Sequence, residues 1–73
     1  MRDPRITPKP GDSISREFKT ATGGCVIREV DRAHGGFVGF YRDNGYRRRW
    51  EIVPLSEWII WARKAEVLEV NGK

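Results

Sequence analysis

The residues best suited to chemistry in this chain are the run Tyr46-Arg47-Arg48-Arg49-Trp50, with Arg42 a few positions before it. A guanidinium offers a planar fork of donors that matches phosphate or carboxylate oxygens, and it also stacks on aromatic rings. In an extended strand, alternation puts Tyr46, Arg48 and Trp50 on one face and Arg47, Arg49 and Glu51 on the other. The chemistry implied is phosphate contact by Arg42, Arg47, Arg48 and Arg49, with a base stacked on Tyr46 or Trp50. The alternative is that Trp50 belongs to the core and the arginines form a solvated face that discourages edge-to-edge pairing. Charge leans toward the first reading. The net charge is +4, the pI is near 9.7, and ten arginines stand against four lysines. Such a balance favours nucleic acid or an acidic protein as partner, moderated by ten acidic residues spread along the chain.

A second group lies near the C-terminus. Residues 57–65 read as a helix with Trp58, Trp61, Ala62 and Ala65 on one face. That face is expected to cap the open end of a small barrel and to leave Ile59 and Ile60 beside Arg63. Either Ile60 reaches the flank of the core and Ile59 is an isolated surface residue, or Ile59, Ile60 and Arg63 together form a protein-binding patch. A peptide groove of the SH3 type is disfavoured, because Tyr41 and Tyr46 lack an accompanying acidic cluster.

Enzymatic chemistry finds no support. His34 is the only histidine and falls in a turn, and no serine or cysteine has a visible partner for a triad. Gly35-Gly36 is not followed by a helix and so does not make a phosphate loop. Cys25 is the sole cysteine, which rules out an internal disulfide and a zinc cluster. Its apolar surroundings predict a buried, inert thiol. The chain is therefore expected to be a non-enzymatic binding module without metal or cofactor.

The elements that position these groups are short. Residues 1–10 hold three of the four prolines and read as an extended or disordered arm, with Ile6 as its one apolar anchor. Ser13 to Phe18 is expected to be an edge strand, and Ala21 to Gly24 a turn. Cys25 to Val30 forms a second strand, with Asp31 to Gly36 connecting it to a third over Phe37 to Arg42. Gly39 marks a bulge, a sharp bend or a close approach of another backbone. Asn44-Gly45 is a hairpin signal, followed by a fourth strand over Tyr46 to Val53. Ser56 is the expected N-cap of the helix, and Val67 to Val70 a last strand.

Five short strands with one short C-terminal helix predict a mainly β fold, a small SH3-like five-stranded antiparallel barrel over residues 11–71. The segment PGDSISREFKTATGGCVIREVD resembles a KOW-type SH3-like module of ribosomal proteins and transcription elongation factors. Gly11-Asp12, Gly24, Val26, Ile27, Glu29, Val30 and Asp31 occupy the matching places. The ending VPLSEWIIWARKAEVLEV departs from that module and resembles short phage and prophage accessory proteins. The resemblance implies a binding role with nucleic acid or protein as partner. No apolar run approaches the roughly 18–20 residues that span a bilayer, so no membrane role is expected. No apolar signal segment is visible at the start either. A cytoplasmic monomer or weak homodimer, pairing through an open strand edge, is the expectation.

Overall fold

Two glycine turns set the architecture. Gly35 and Gly36, at φ 62° and 82°, form a two-residue turn that returns the chain with His34 opposite Phe37. Consecutive positive φ values match the right-handed twist of the flanking strands, and glycine adopts them without a Cβ clash. At the next turn Asn44 Oδ1 accepts the N–H groups of Tyr46 (2.9 Å) and Arg47 (2.8 Å), while Gly45 takes φ 90°.

The computed structural model describes residues 2–17 and 24–71. In chain order it has β1 (Ser13–Glu17), β2 (Cys25–His34), β3 (Phe37–Asp43), β4 (Arg48–Pro54), α1 (Leu55–Ala62) and β5 (Glu66–Glu69). All pairings are antiparallel in one sheet of order β4-β3-β2-β1-β5. The expected mainly β plan with a short helix is therefore present. The sheet is not closed, because β4 and β5 are its two edges.

Several boundaries differ from expectation. β1 is not an edge strand: β5 returns to pair with it, matching Ile14 with Val67. β2 continues through Asp31–His34 instead of ending at Val30, since a two-residue turn needs no longer connection. β4 starts at Arg48, leaving Tyr46 and Arg47 in the turn. The expected turn at 21–24 and the end of the first strand at Phe18 lie mostly outside the described residues.

One face of the sheet carries the core. Ile14, Val30, Val38 and Phe40 meet Trp58, Ala62 and Ala65 from the helix and the turn after it. The Phe40 and Trp58 rings are 5.2 Å apart and tilted by 59°, a geometry that aromatic quadrupoles favour. α1 enters directly from β4, with the Leu55 N–H bonded to Gly36 O at 2.8 Å. Its N-cap is Pro54, so Ser56 does not cap it.

The N-terminal segment is tied down. Residues 3–7 make a turn in which Asp3 O accepts from the Ile6 and Thr7 N–H groups. Trp58 Nε1 donates to Pro4 O at 3.0 Å, and Pro4 is buried. The anchors are the prolines Pro4 and Pro8, whereas Ile6 is 55% exposed. Asp12, fully buried, accepts a forked pair of bonds from Arg2 and further bonds from the Lys9 and Asn71 N–H groups. Burial pushes its carboxyl up, but these donors outweigh that and hold it below the usual range.

Candidate functional site: an arginine row on the inner face

The inner face, which bears the core, also carries most of the sheet's positive charge. Its members follow from register. Across β3 and β4, Val38 faces Val53, Phe40 faces Glu51 and Arg42 faces Arg49. Across β2 and β3, Val30 faces Phe40 and Arg28 faces Arg42. Arg28, Arg42 and Arg49 therefore form one row over three adjacent strands, spanning about 10 Å at the usual interstrand spacing. Like charges directly opposite one another destabilise a sheet.

A one-residue bulge creates the row. The β2–β3 register shifts between Val30 and Arg32, with Asp31 as the extra residue. Counted back from the Gly35-Gly36 turn, an unbroken ladder would set Arg42 opposite Glu29, a neutralising pair. The bulge moves β2 by one position and brings Arg28 there instead.

Arg28 is the unusual member, only 9% exposed. Its guanidinium lies 3.9 Å from the Trp61 ring centroid, 4.4 Å from that of Phe40 and 5.6 Å from that of Trp58. Its Nε is buried without a hydrogen-bond partner among the described residues. Burial lowers its pKa to about 10; Glu51 opposes that, and Arg42 and Arg16 add to it. Arg42 approaches Glu51 at 3.9 Å. Arg16, on β1, stacks over Trp61 at 5.6 Å and carries the positive face toward the helix. There an open groove of about 430 Å³ is lined by Arg16, Glu57, Ile60, Trp61, Arg63 and Lys64.

The basic residues expected from sequence are divided by this geometry. Arg42 and Arg49 share the inner face. Arg48 lies on the outer face, 3.3 Å from Glu29 and over the Tyr41 ring at 4.7 Å. Arg47 and Tyr46 sit at the β3–β4 turn, where Tyr46 is 96% exposed. Trp50 is not core: it is 45% exposed on the outer face and covers Gly39, where an added Cβ would come 2.8 Å from its ring. The close approach at Gly39 is therefore to side chains, not to another backbone as expected.

The two isoleucines exchange their expected places. Ile59 is half-buried against the core, and Ile60 is 61% exposed. Ile60 stands about 200° around the helix from buried Trp58, at 3.6 residues per turn, so it faces outward. Arg63 follows the last helical residue, its N–H bonded to Ile59 O at 3.1 Å. Cys25 is exposed instead of buried, since it opens β2 at the rim of the sheet. Sequence reasoning missed Arg28 and Arg16, because nothing local marks a bulge at Asp31.

Among the described residues no group of histidine, cysteine and carboxylate side chains is placed to hold a metal ion. No described helix is long and apolar enough to cross a membrane. No family model, curated protein or solved structure matches this chain.

Proposed function

We propose that this protein is a non-enzymatic binding module that holds single-stranded nucleic acid on the inner face of its open sheet. The observation that carries the reading is the row Arg28, Arg42 and Arg49: three opposed cations with Glu51 as the one carboxylate among their immediate described neighbours on that face. Such a row is unfavourable in the free protein and is relieved by phosphates, whose counterions are released on binding. Tyr46 at the exposed turn offers a ring on which a base stacks without regard to sequence. Arg47 extends the positive strip at the turn, whereas Arg48, paired with Glu29 on the outer face, lies outside the row.

The strand order, with a four-strand meander and a fifth strand returning to the first, supports reading the fold as an SH3-like plan whose sheet stays open between β4 and β5. We extend the proposal to a KOW-like module of the phage or prophage accessory type, acting in the cytoplasm. A second reading rests on the groove beside α1, where exposed Ile60 and Arg63 suit a protein partner.

Titration of fluorescent single- and double-stranded oligonucleotides at several salt concentrations tests the first reading. Three phosphate contacts on a single strand predict a log–log salt slope of about −2. The double variant Arg42→Ala/Arg49→Ala should bring that slope close to −0.7. Absence of binding at low salt, or a slope unchanged in the variant, overturns the reading. Ile60→Asp should leave oligonucleotide binding intact and abolish capture of a protein partner if the second reading holds.

A further inference from the structure

We infer that the free edge of β4 pairs with β4 of a second copy, in antiparallel register centred on Trp50. The argument starts from which backbone groups point outward. The Leu55 N–H bonds Gly36 O, and the Asn44 N–H bonds Arg47 O, so the facing positions at both ends of the β3–β4 ladder are hydrogen-bonded. Alternation in an antiparallel pair then makes Val38/Val53, Phe40/Glu51 and Arg42/Arg49 the bonded rows. The two ends agree on this parity. Pro54, which has no N–H, falls in a non-bonded row, where none is needed.

It follows that the N–H and C=O groups of Arg48, Trp50 and Ile52 point away from β3. No described strand lies on that side. An edge of this kind is a template for another strand. Proteins commonly blunt such edges with charges of one sign, but here the signs alternate along the inner face: Arg49, then Glu51.

Only one register satisfies both the hydrogen bonds and the charges. Centred on Trp50, it sets Trp50 against Trp50 of the second copy and Arg48 against Ile52 in both directions, using every outward group. The rows between them place Arg49 against Glu51 of the second copy, twice. Centring on Glu51 opposes two carboxylates and leads Arg48 to Pro54, which cannot donate. Centring on Arg49 opposes two guanidiniums. The outer face adds apolar cover, since Trp50 is 45% and Ile52 53% exposed in one copy. Opposed aromatic and charge pairs of this kind each contribute modestly to a sheet. A single strand edge is a small interface, so the dimer is weak and concentration-dependent.

The other edge, β5, carries Glu66 and Glu69 and could attract the arginines of β4 head to tail. That contact does not close on itself and would give open-ended chains. Arg42 stays exposed on the inner face in the two-fold dimer.

Sedimentation velocity over a wide concentration range is the test. The wild-type chain should show a reversible monomer–dimer equilibrium, with amide exchange at Arg48, Trp50 and Ile52 slowing as dimer forms. Arg49→Glu and Glu51→Arg should each be monomeric, with folding confirmed by circular dichroism. An equimolar mixture of the two should regain a dimer, because every crossed row is again of opposite sign. A wild-type chain that stays monomeric at its highest concentration overturns the inference. So do a series of species beyond dimer, dimerisation that persists in both single variants, and a mixture that stays monomeric. If a single variant fails to fold, the concentration dependence of exchange in the wild type decides alone.

Discussion

Replacing Arg28 by methionine should make this protein more stable and a poorer ligand-binder at once. Burial holds the Arg28 pKa at about 10. A fall of that size from the ordinary arginine value corresponds to roughly 3 kcal/mol against the charged form in the folded state. Opposing this, the guanidinium stacks on Trp61 and Phe40 at 3.9 and 4.4 Å. Desolvated cation–π contacts of that kind return roughly 1–2 kcal/mol together. Methionine fills a similar volume, is flexible enough to lie against both rings, and needs no hydrogen bond for the position of the unpartnered Nε. The balance is a gain of about 1–2 kcal/mol, or a rise in Tm of about 5–10 °C for a domain of this size. Since the folded-state pKa is depressed, the penalty is complete at neutral pH. The gap between variant and wild type narrows only as pH climbs past about 10. Thermal and urea unfolding at low salt measure the gain, and the oligonucleotide titration should lose roughly 0.7 from its salt slope. Destabilisation by more than about 1 kcal/mol would show that stacking outweighs desolvation and that Arg28 is a structural keystone. Stabilisation with unchanged binding would remove Arg28 from the ligand site.

Two further substitutions probe the frame around the site. Gly39→Ala places a Cβ 2.8 Å from the Trp50 ring and 3.1 Å from Arg32 Cγ, so the indole must swing outward. The cost is about 1–3 kcal/mol, read by urea unfolding with a red shift in tryptophan emission. Asp12→Asn weakens the clasp to Arg2, Lys9 and Asn71 and should cost about 2–4 kcal/mol. The depressed carboxyl of Asp12 contributes stability above the usual carboxylate range that is lost as pH falls through its lower folded value. The asparagine variant should therefore show a shallower acid-unfolding limb.

The turns and the alternation were legible because each rests on a local cause. Gly35-Gly36 and the Asn44-Gly45 pair supply positive φ between apolar runs, and the split of Arg48 and Trp50 from Arg49 and Glu51 needs only a period of two. What escaped the sequence is non-local. Asp31 is one polar residue among several, and only the packing of Val30 and Phe40 into the core shows that it is skipped. That single skip decides whether Arg42 meets Glu29 or Arg28, and hence whether the face is neutral or strongly basic. The isoleucines were misplaced for a similar reason: α1 starts at Leu55, driven by the Gly36 bond, and Leu55 joins Ile59 on the core side. The hidden edge of β1 depended on β5, whose short apolar run says nothing of the strand it will join.

The clasp at Asp12 has a consequence for how the chain comes apart. One carboxylate receives donors from Arg2 near the start and from Asn71 near the end, and Arg2 itself donates to Asn71 O at 2.7 Å. Contacts between such distant residues carry the largest loop-closure cost and are expected to close after the β2–β3–β4 meander has formed. The N-terminal turn, β5 and the Trp58 bond to Pro4 should then open together as one latch. Fraying at either end is felt at the other, and the indole sealed beneath it is released in the same event.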